Sequence, residues 1–314
     1  MQPISADSHV VEGADVFVGL PERFGDDAPR VMHAGTDQDA IIIPSKGNAG
    51  IRRRIGIAGL RIRDGIEVQR RPGRKPEVDD LADPEVMAIM SRGYDGLREG
   101  IRDGSCRYVD QDADGIAAEF LYPGFFGLFS FENTELLVAC QKNYNDWLMD
   151  YTRNSDSRLF GLAAIPMQEP NAAYKELERV IKNGFLGGCI PCTAPAEAPY
   201  HDSCYEGVWT LAEEAGFPLS MHVGTNAYLP HEFRPNKATR DPIADYANTQ
   251  STIQRTLTDL NCRGVATRHP NLKFVVAEFI GGWIGHWLDR ICLLYTSDAA
   301  DEGLGVDLGG RRII

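Results

Sequence analysis

The sequence predicts an α/β fold: an incomplete (β/α)8 barrel of about six βα units, with a long insertion after its first strand. Three observations carry this. Short apolar strands alternate with stretches of helical periodicity along most of the chain, the pattern of parallel βαβ units. Several strands end in Asp, His or Glu, which suits a barrel whose chemistry sits at the carboxyl ends of its strands. A doubly wound sheet would show a Gly-rich phosphate turn after strand one, and none is present.

The first strand is the apolar run Pro3-Ile4-Ser5-Ala6 leading into Asp7-Ser8-His9, with Glu12 shortly after. Side chains two apart in a strand share a face, so Asp7 and His9 are expected to project together. From Glu12 to about residue 90 the chain is rich in Gly, Pro and Arg and lacks clean periodicity. It reads as a 13–90 insertion lying over the active face. Within it, Arg52, Arg53, Arg54, Arg61, Arg63, Arg70, Arg71, Arg74 and Lys75 read first as a solvated loop and second as a cap that attracts anions. Residues 80–114 are mostly helical in pattern.

A regular rhythm follows. Ile116 to Pro123 is a strand stopped by proline, and Glu132 to Asn154 has helical spacing at Leu136, Leu137, Cys140, Tyr144, Trp147, Leu148 and Tyr151. Leu159 to Ile165 is the third strand. Pro170 opens a helix that Asn183-Gly184 closes. Leu186 to Cys192 is the fourth strand, and Asp202-Ser203 caps the next helix, which ends at Gly216. Pro218 to His222 is the fifth strand. A helix is expected from about Ile243 to Arg268, broken by His269-Pro270. Leu272 to Ala277 is the sixth strand, ending at Glu278, and an amphipathic stretch runs on through Leu288.

Composition narrows function. With 45 acidic against 32 basic residues the net charge is −13, which disfavours nucleic-acid binding. No apolar run approaches the roughly 18–20 residues of a membrane span, and the N-terminus lacks a signal-peptide pattern. Seven scattered cysteines favour a reducing compartment, with cytoplasm the expectation. The partner expected is a small-molecule substrate, with a homo-oligomer as a possible assembly.

The site reading rests on residue types. A carboxylate and an imidazole side by side suit a borderline divalent cation, and His222 at another strand end supplies a third donor. Asp7, His9 and His222 are thus the metal-ligand candidates for one Zn or Mn ion. Glu278 at the sixth strand end reads equally as a proton carrier and as an Arg-paired carboxylate. Glu12 reads either as support behind the ligands or as a helix-start carboxylate. Cys189 and Cys192, a single CxxC on an apolar strand, read as structural. His201 and His231, in loops after strands four and five, are weaker candidates for lining the site. His33, His269 and His286 have no spacing partner, and Trp147, Trp209, Trp283 and Trp287 read as helix packing.

The barrel occupies residues 1–291 in this reading. From about Cys292 the character changes, and 292–314 reads as a non-native or disordered tail resembling translated adapter sequence. The remaining residues after Glu278 are too few for two further βα units, so the natural enzyme is expected to be longer.

Asp7-Ser8-His9, Asp114-Gly115-Ile116, Tyr144-Asn145-Asp146-Trp147, Arg158-Leu159-Phe160-Gly161, His222-Val223-Gly224 and His269-Pro270-Asn271-Leu272-Lys273 together carry a resemblance. Over about residues 3–291 the chain resembles the amidohydrolase-related family, the branch with aminocarboxymuconate-semialdehyde and hydroxybenzoate-type decarboxylases. The resemblance implies a metal pair at Asp7 and His9, where the family commonly has H-x-H or E-x-H, and a further ligand at His222. Many members carry a catalytic histidine after the sixth strand, where this chain has Glu278. The family's eighth-strand Asp has no match. The resemblance implies a metal-dependent hydrolase acting through activated water, with Glu278 and His222 catalytic. A nonoxidative decarboxylase and an inactive truncated barrel are the alternatives.

Overall fold

The computed structural model describes residues 2–33, 93–225 (except 125, 154, 156 and 196) and 247–296, together with the backbone of 39–43, 51–54, 60–63 and 66–69. Six parallel strand positions follow one another in sequence order. They are β1 (Ile4–His9), β7 (Ala118–Tyr122), the third strand made of β8 (Leu159–Gly161) and β9 (Ala163–Ala164), β10 (Gly188–Ile190), β11 (Leu219–His222) and β12 (Phe274–Ala277). The pairings β1-β7-β8 and β9-β10-β11-β12 are all parallel. This is the arc of a barrel, as the strand–helix rhythm predicts.

Helices α1 (Tyr108–Asp114), α2 (Thr134–Thr152), α3 (Pro170–Lys182), α4 (Glu206–Glu214), α5 (Gln250–Cys262) and α6 (Ile284–Thr296) alternate with the strands. Their ends follow local chemistry. The Asn133 side chain accepts from the Leu136 amide at 3.1 Å, which satisfies one of the amides that open α2. Pro170 starts α3, where a missing N–H costs nothing. Gly184, at φ +88°, takes the left-handed conformation that ends α3. Asp202 accepts from the Cys204 amide, but it caps a short 3-10 turn (Ser203–Tyr205) that leads into α4 rather than α4 itself.

The third strand passes from one sheet to the other at Leu162. The Leu162 amide donates to Leu121 O, and the next amide, Ala163, donates to Gly187 O. Asn145 of α2 fills the gap that this transfer leaves. Its side chain donates to Ala164 O at 2.9 Å and accepts from the Ala164 amide at 2.7 Å, and it also donates to Glu176. A buried peptide group is thereby paired where the ladder changes partner. Two apolar clusters lie on either side. One gathers Leu121, Leu128, Leu137, Tyr144 and Leu148, and the other gathers Leu177, Val180, Trp209, Leu219 and Ile253. Each such fully buried side chain contributes about 1.5–3 kcal/mol.

Several expectations change. Arg52–Arg54 lie in strand β4 (Ile51–Arg54), and Arg61 and Arg63 lie in β5 (Leu60–Arg63), so this part of the basic stretch is extended chain rather than loop. β2 (Arg30–His33), β3 (Asp39–Ile43) and β4 form an antiparallel sheet, and β5 pairs with β6 (Ile66–Gln69). Leu60-Arg61-Ile62-Arg63 in β5 alternates apolar and charged residues, the period of a strand, which the abundance of Gly and Pro nearby obscured. Arg70 to Lys75 and the predicted helical pattern over 80–92 lie outside the described residues. The helix predicted through Arg268 stops at Cys262, because Gly264 adopts φ +81° before a short helix Val265–Arg268 begins. Its predicted start at Ile243 lies outside the described residues.

Among the described residues, β1 pairs only with β7 and β12 only with β11. Ile4, Val275, Ile284 and Leu288, on or beside these two outer strands, are exposed. α6 runs past the expected boundary at 292 to Thr296, and the chain after it lies outside the described residues.

Candidate metal centre

The carboxyl ends of strands one, five and six meet. Asp7 Oδ1 is 3.1 Å from His222 Nε2 and 3.7 Å from His9 Nε2. One ligand atom from each of the three residues lies within 4.8 Å of the others. The two imidazoles meet edge to face, with centroids 4.9 Å apart. Strand one does not reach this geometry by simple alternation. Its pairing with β7 runs Ser5 opposite Glu119 and then Ser8 opposite Leu121, so β1 carries one extra residue at Ala6-Asp7. A bulge of this kind re-aims side chains beside a site.

Hydrogen bonding fixes both rings. His9 Nδ1 lies 3.0 Å from Pro123 O, and His222 Nδ1 lies 2.7 Å from Val223 O. A carbonyl only accepts, so each Nδ1 carries the proton and each ring presents Nε2 to the site. Two imidazole nitrogens and a carboxylate, with the rings oriented from behind, are a donor set that fits a borderline divalent cation.

The electrostatics follow from these contacts. The hydrogen bond from His222 holds the Asp7 carboxyl below its ordinary range, against the effect of burial. Burial pushes His9 down, so its ring is neutral and free to donate a lone pair at neutral pH. Burial also opposes protonation of His222, whose side chain is 1% exposed, but the Asp7 hydrogen bond and the Val223 carbonyl outweigh it and raise its pKa.

Glu278 follows β12 with φ +65°, in the left-handed region, and its Oε2 lies 3.8 Å from His222 Nε2. It faces the triad. Glu12 is buried, and its Oε1 accepts from the Gly124 amide at 2.8 Å. It therefore steadies the Pro123-Gly124 loop that orients the His9 ring, and it sits before a 3-10 turn (Ala14–Phe17) rather than at an α-helix start. The Cys192 thiol donates to His222 O at 2.7 Å, and the Thr225 hydroxyl donates to the same oxygen at 2.8 Å. Burial pushes the Cys192 thiol up to about 12.

His201 makes no hydrogen bond or ion pair with the triad, and His231 lies outside the described residues. His269 is buried in a different place, between Glu206 (2.9 Å) and Glu213 (3.4 Å). Sequence reading passed over Tyr122, whose ring lies 4.9 Å from that of His222 and whose hydroxyl donates to Ser220 Oγ at 3.1 Å. It also passed over the buried Arg107–Glu119 pair. The available signal was Glu119 itself, a carboxylate inside an apolar strand that needs a cationic partner.

A family model described as amidohydrolase matches residues 127–299, more than half of the 314-residue chain. The chain belongs to the amidohydrolase family. Within that family, a stretch of 84 residues is 32% identical to a gamma-resorcylate decarboxylase of Polaromonas sp.. That match covers 25% of this chain and 26% of the decarboxylase, so the chain matches about a quarter of that relative's length. Among solved structures, an amidohydrolase of Mycobacterium avium subsp. paratuberculosis superposes with a TM-score of 0.66 at 20% identity, covering 98% of this chain and 79% of that one. A 5-carboxyvanillate decarboxylase of Novosphingobium aromaticivorans, complexed with manganese and 4-hydroxy-3-methoxy-5-nitrobenzoic acid, gives 0.51 at 20% identity over 68% of this chain and 58% of that one. At these identities the likeness shows the fold, and the family's barrel architecture agrees with the six-stranded arc. No described helix is long and apolar enough to cross a membrane.

Proposed function

We propose that this amidohydrolase-family protein is a metal-dependent carboxy-lyase that releases CO2 from a small hydroxylated aromatic acid. One divalent ion, Mn or Zn, would be held by Asp7, His9 and His222. The observation that supports the metal is the donor set itself: two Nε2 atoms and a carboxylate oxygen within 4.8 Å, with both Nδ1 atoms already engaged by carbonyls. The decarboxylase stretch at 32% identity supports carboxy-lyase chemistry over the hydrolysis that sequence reading put first.

When bound, the cation would polarise a substrate oxygen and orient the acid. The chain's own residues do the rest. Asp7, His9 and His222 fix where the acid binds. Glu278 is the proton carrier: as the carbon–carboxyl bond breaks, CO2 leaves and the carbon that carried it takes the proton from Glu278 Oε. Glu278 Oε2 lies 3.8 Å from His222 Nε2, which places it beside the acid held there.

Hydrolysis remains the second reading, favoured by Glu278 itself. A carboxylate at this position suits a general base that takes a proton from water. The test is product analysis with dihydroxybenzoates and carboxylated phenols against amides and lactones, in the presence of Mn2+ or Zn2+. CO2 release that Glu278→Gln lowers by about 10²–10⁴-fold supports the carboxy-lyase reading. Turnover of amides or lactones with no CO2 from any aromatic acid overturns it.

A further inference from the structure

Strand one carries two candidate ligands on a segment with an extra residue, and such a segment needs a reason to stay in register. A slip of one residue would turn Asp7 and His9 to the other face. The structure supplies a brace behind it. Arg107, 13% exposed, forks onto Glu119, 8% exposed: Nε donates to Oε2 at 2.8 Å and Nη2 to Oε1 at 2.9 Å. The same guanidinium donates through Nη1 to the backbone carbonyl of His9 at 3.2 Å and to the Tyr151 hydroxyl at 3.3 Å. Tyr151 passes its own proton to Gly100 O at 2.6 Å. Within β1, the Ser8 hydroxyl lies 2.7 Å from Ser5 Oγ. Gln111 also donates to Glu119, at 3.0 Å. The ion pair thus grips β1 at His9, just after the extra residue, from an anchor on β7 that pairs with Ser5.

We propose that the Arg107–Glu119 pair is a positioning device that braces the bulge in β1, so that Asp7 and His9 meet His222 with the spacing cation binding needs. This rests on the reading of the triad as the cation site. The guanidinium is suited to the task. Its planar fork serves both carboxylate oxygens and still has a proton for His9 O, whereas a lysine ammonium offers one point charge without that geometry.

The experiment measures Mn2+ affinity by calorimetry and thermal stability by scanning for the whole chain and four variants. Arg107→Lys and Glu119→Gln perturb the brace. Val180→Ala, in the second apolar cluster away from β1, lowers stability without touching it. His222→Ala tests the triad. The expected result is a Kd about 10–100-fold weaker in Arg107→Lys, the range seen when groups orienting metal ligands are lost. Glu119→Gln, which keeps the shape and one acceptor oxygen but puts a donor where the other oxygen accepts, should fall between it and wild type and serves if Arg107→Lys fails to fold. Val180→Ala should melt earlier yet keep the wild-type Kd. If the brace variants lose stability but bind Mn2+ as wild type does, the pair is merely structural and the proposal fails. If His222→Ala binds as tightly as wild type, the cation site lies elsewhere and the underlying reading fails.

Discussion

Removing a ligand from the triad should abolish a stabilisation that the cation gives the intact protein. The three candidate ligand atoms already lie within 4.8 Å and both rings are fixed by carbonyls, so binding asks little movement of the rings and the loss of the proton that His222 Nε2 gives to Asp7. A ligand that binds only the folded state at 100 times its Kd contributes about 2.7 kcal/mol. Unfolding entropy is about 2.1 cal/mol/K per residue, which for a chain of 314 residues gives about 0.66 kcal/mol/K, so the melting temperature should rise by about 4 °C. The assay is a thermal melt after chelator treatment, with and without Mn2+ or Zn2+ titrated to millimolar levels. His222→Ala should melt somewhat lower than wild type without cation, because the buried ring loses its bonds to Asp7 and Val223, and should show no rise with it. A wild-type curve that does not move, or an equal shift in His222→Ala, would refute the reasoning.

Acid should act through Glu119. Burial opposes its ionisation, but the Arg107 bonds prevail and hold its pKa below the ordinary 4.5. Its stabilisation is therefore present above about pH 4.5 and is lost as pH falls through the lowered folded value. Wild type should lose stability steeply over that window, and Glu119→Gln should show a flatter slope in urea melts taken from pH 6 to 3. Thiol labelling should modify the exposed Cys262 and Cys292 first, while buried Cys140, Cys189 and Cys192, all with raised pKa values, stay unreacted until unfolding; early labelling of Cys192 by mass spectrometry would contradict the burial. Gly104→Ala should cost several kcal/mol or prevent folding, since a Cβ there overlaps the Tyr151 carbonyl oxygen, and a wild-type melt would refute this. Ile284→Gln with Leu288→Gln should reduce self-association seen by sedimentation, since both side chains are exposed apolar groups on α6.

Much of the barrel arc was legible in the sequence because its signals are local. Pro123, Pro166 and Pro218 mark strand boundaries, and Gly184 and Gly216 end helices where the structure has them at positive φ. The union of Asp7, His9 and His222 was legible because strand-end position alone constrains where a side chain points in a parallel barrel. What escaped depends on pairing between distant segments. The extra residue in β1 exists only relative to β7, so alternation brought Asp7 and His9 together for an incomplete reason. Gly264 broke a helix whose periodicity continued through it, a case of backbone conformation overriding pattern. The alternation of apolar residues with Arg in β5 was a strand signal masked by its surroundings.

The third strand's transfer at Leu162 divides the chain into an early part that holds Asp7 and His9 and a late part that holds His222 and Glu278. Asp7 and His222 are 215 positions apart. A ribosome adding about 5–20 residues per second takes roughly 10–40 s to cover that span. By the later part of that interval the nascent chain carries two of the three candidate ligands and the half of the arc that packs around α2, with nothing opposite. Asp7 and His9 must wait, held in register by contacts local to the early part, until β11 arrives. A brace made by Arg107 and Glu119, both synthesised within about 110 positions of Asp7, is available from about the middle of that wait.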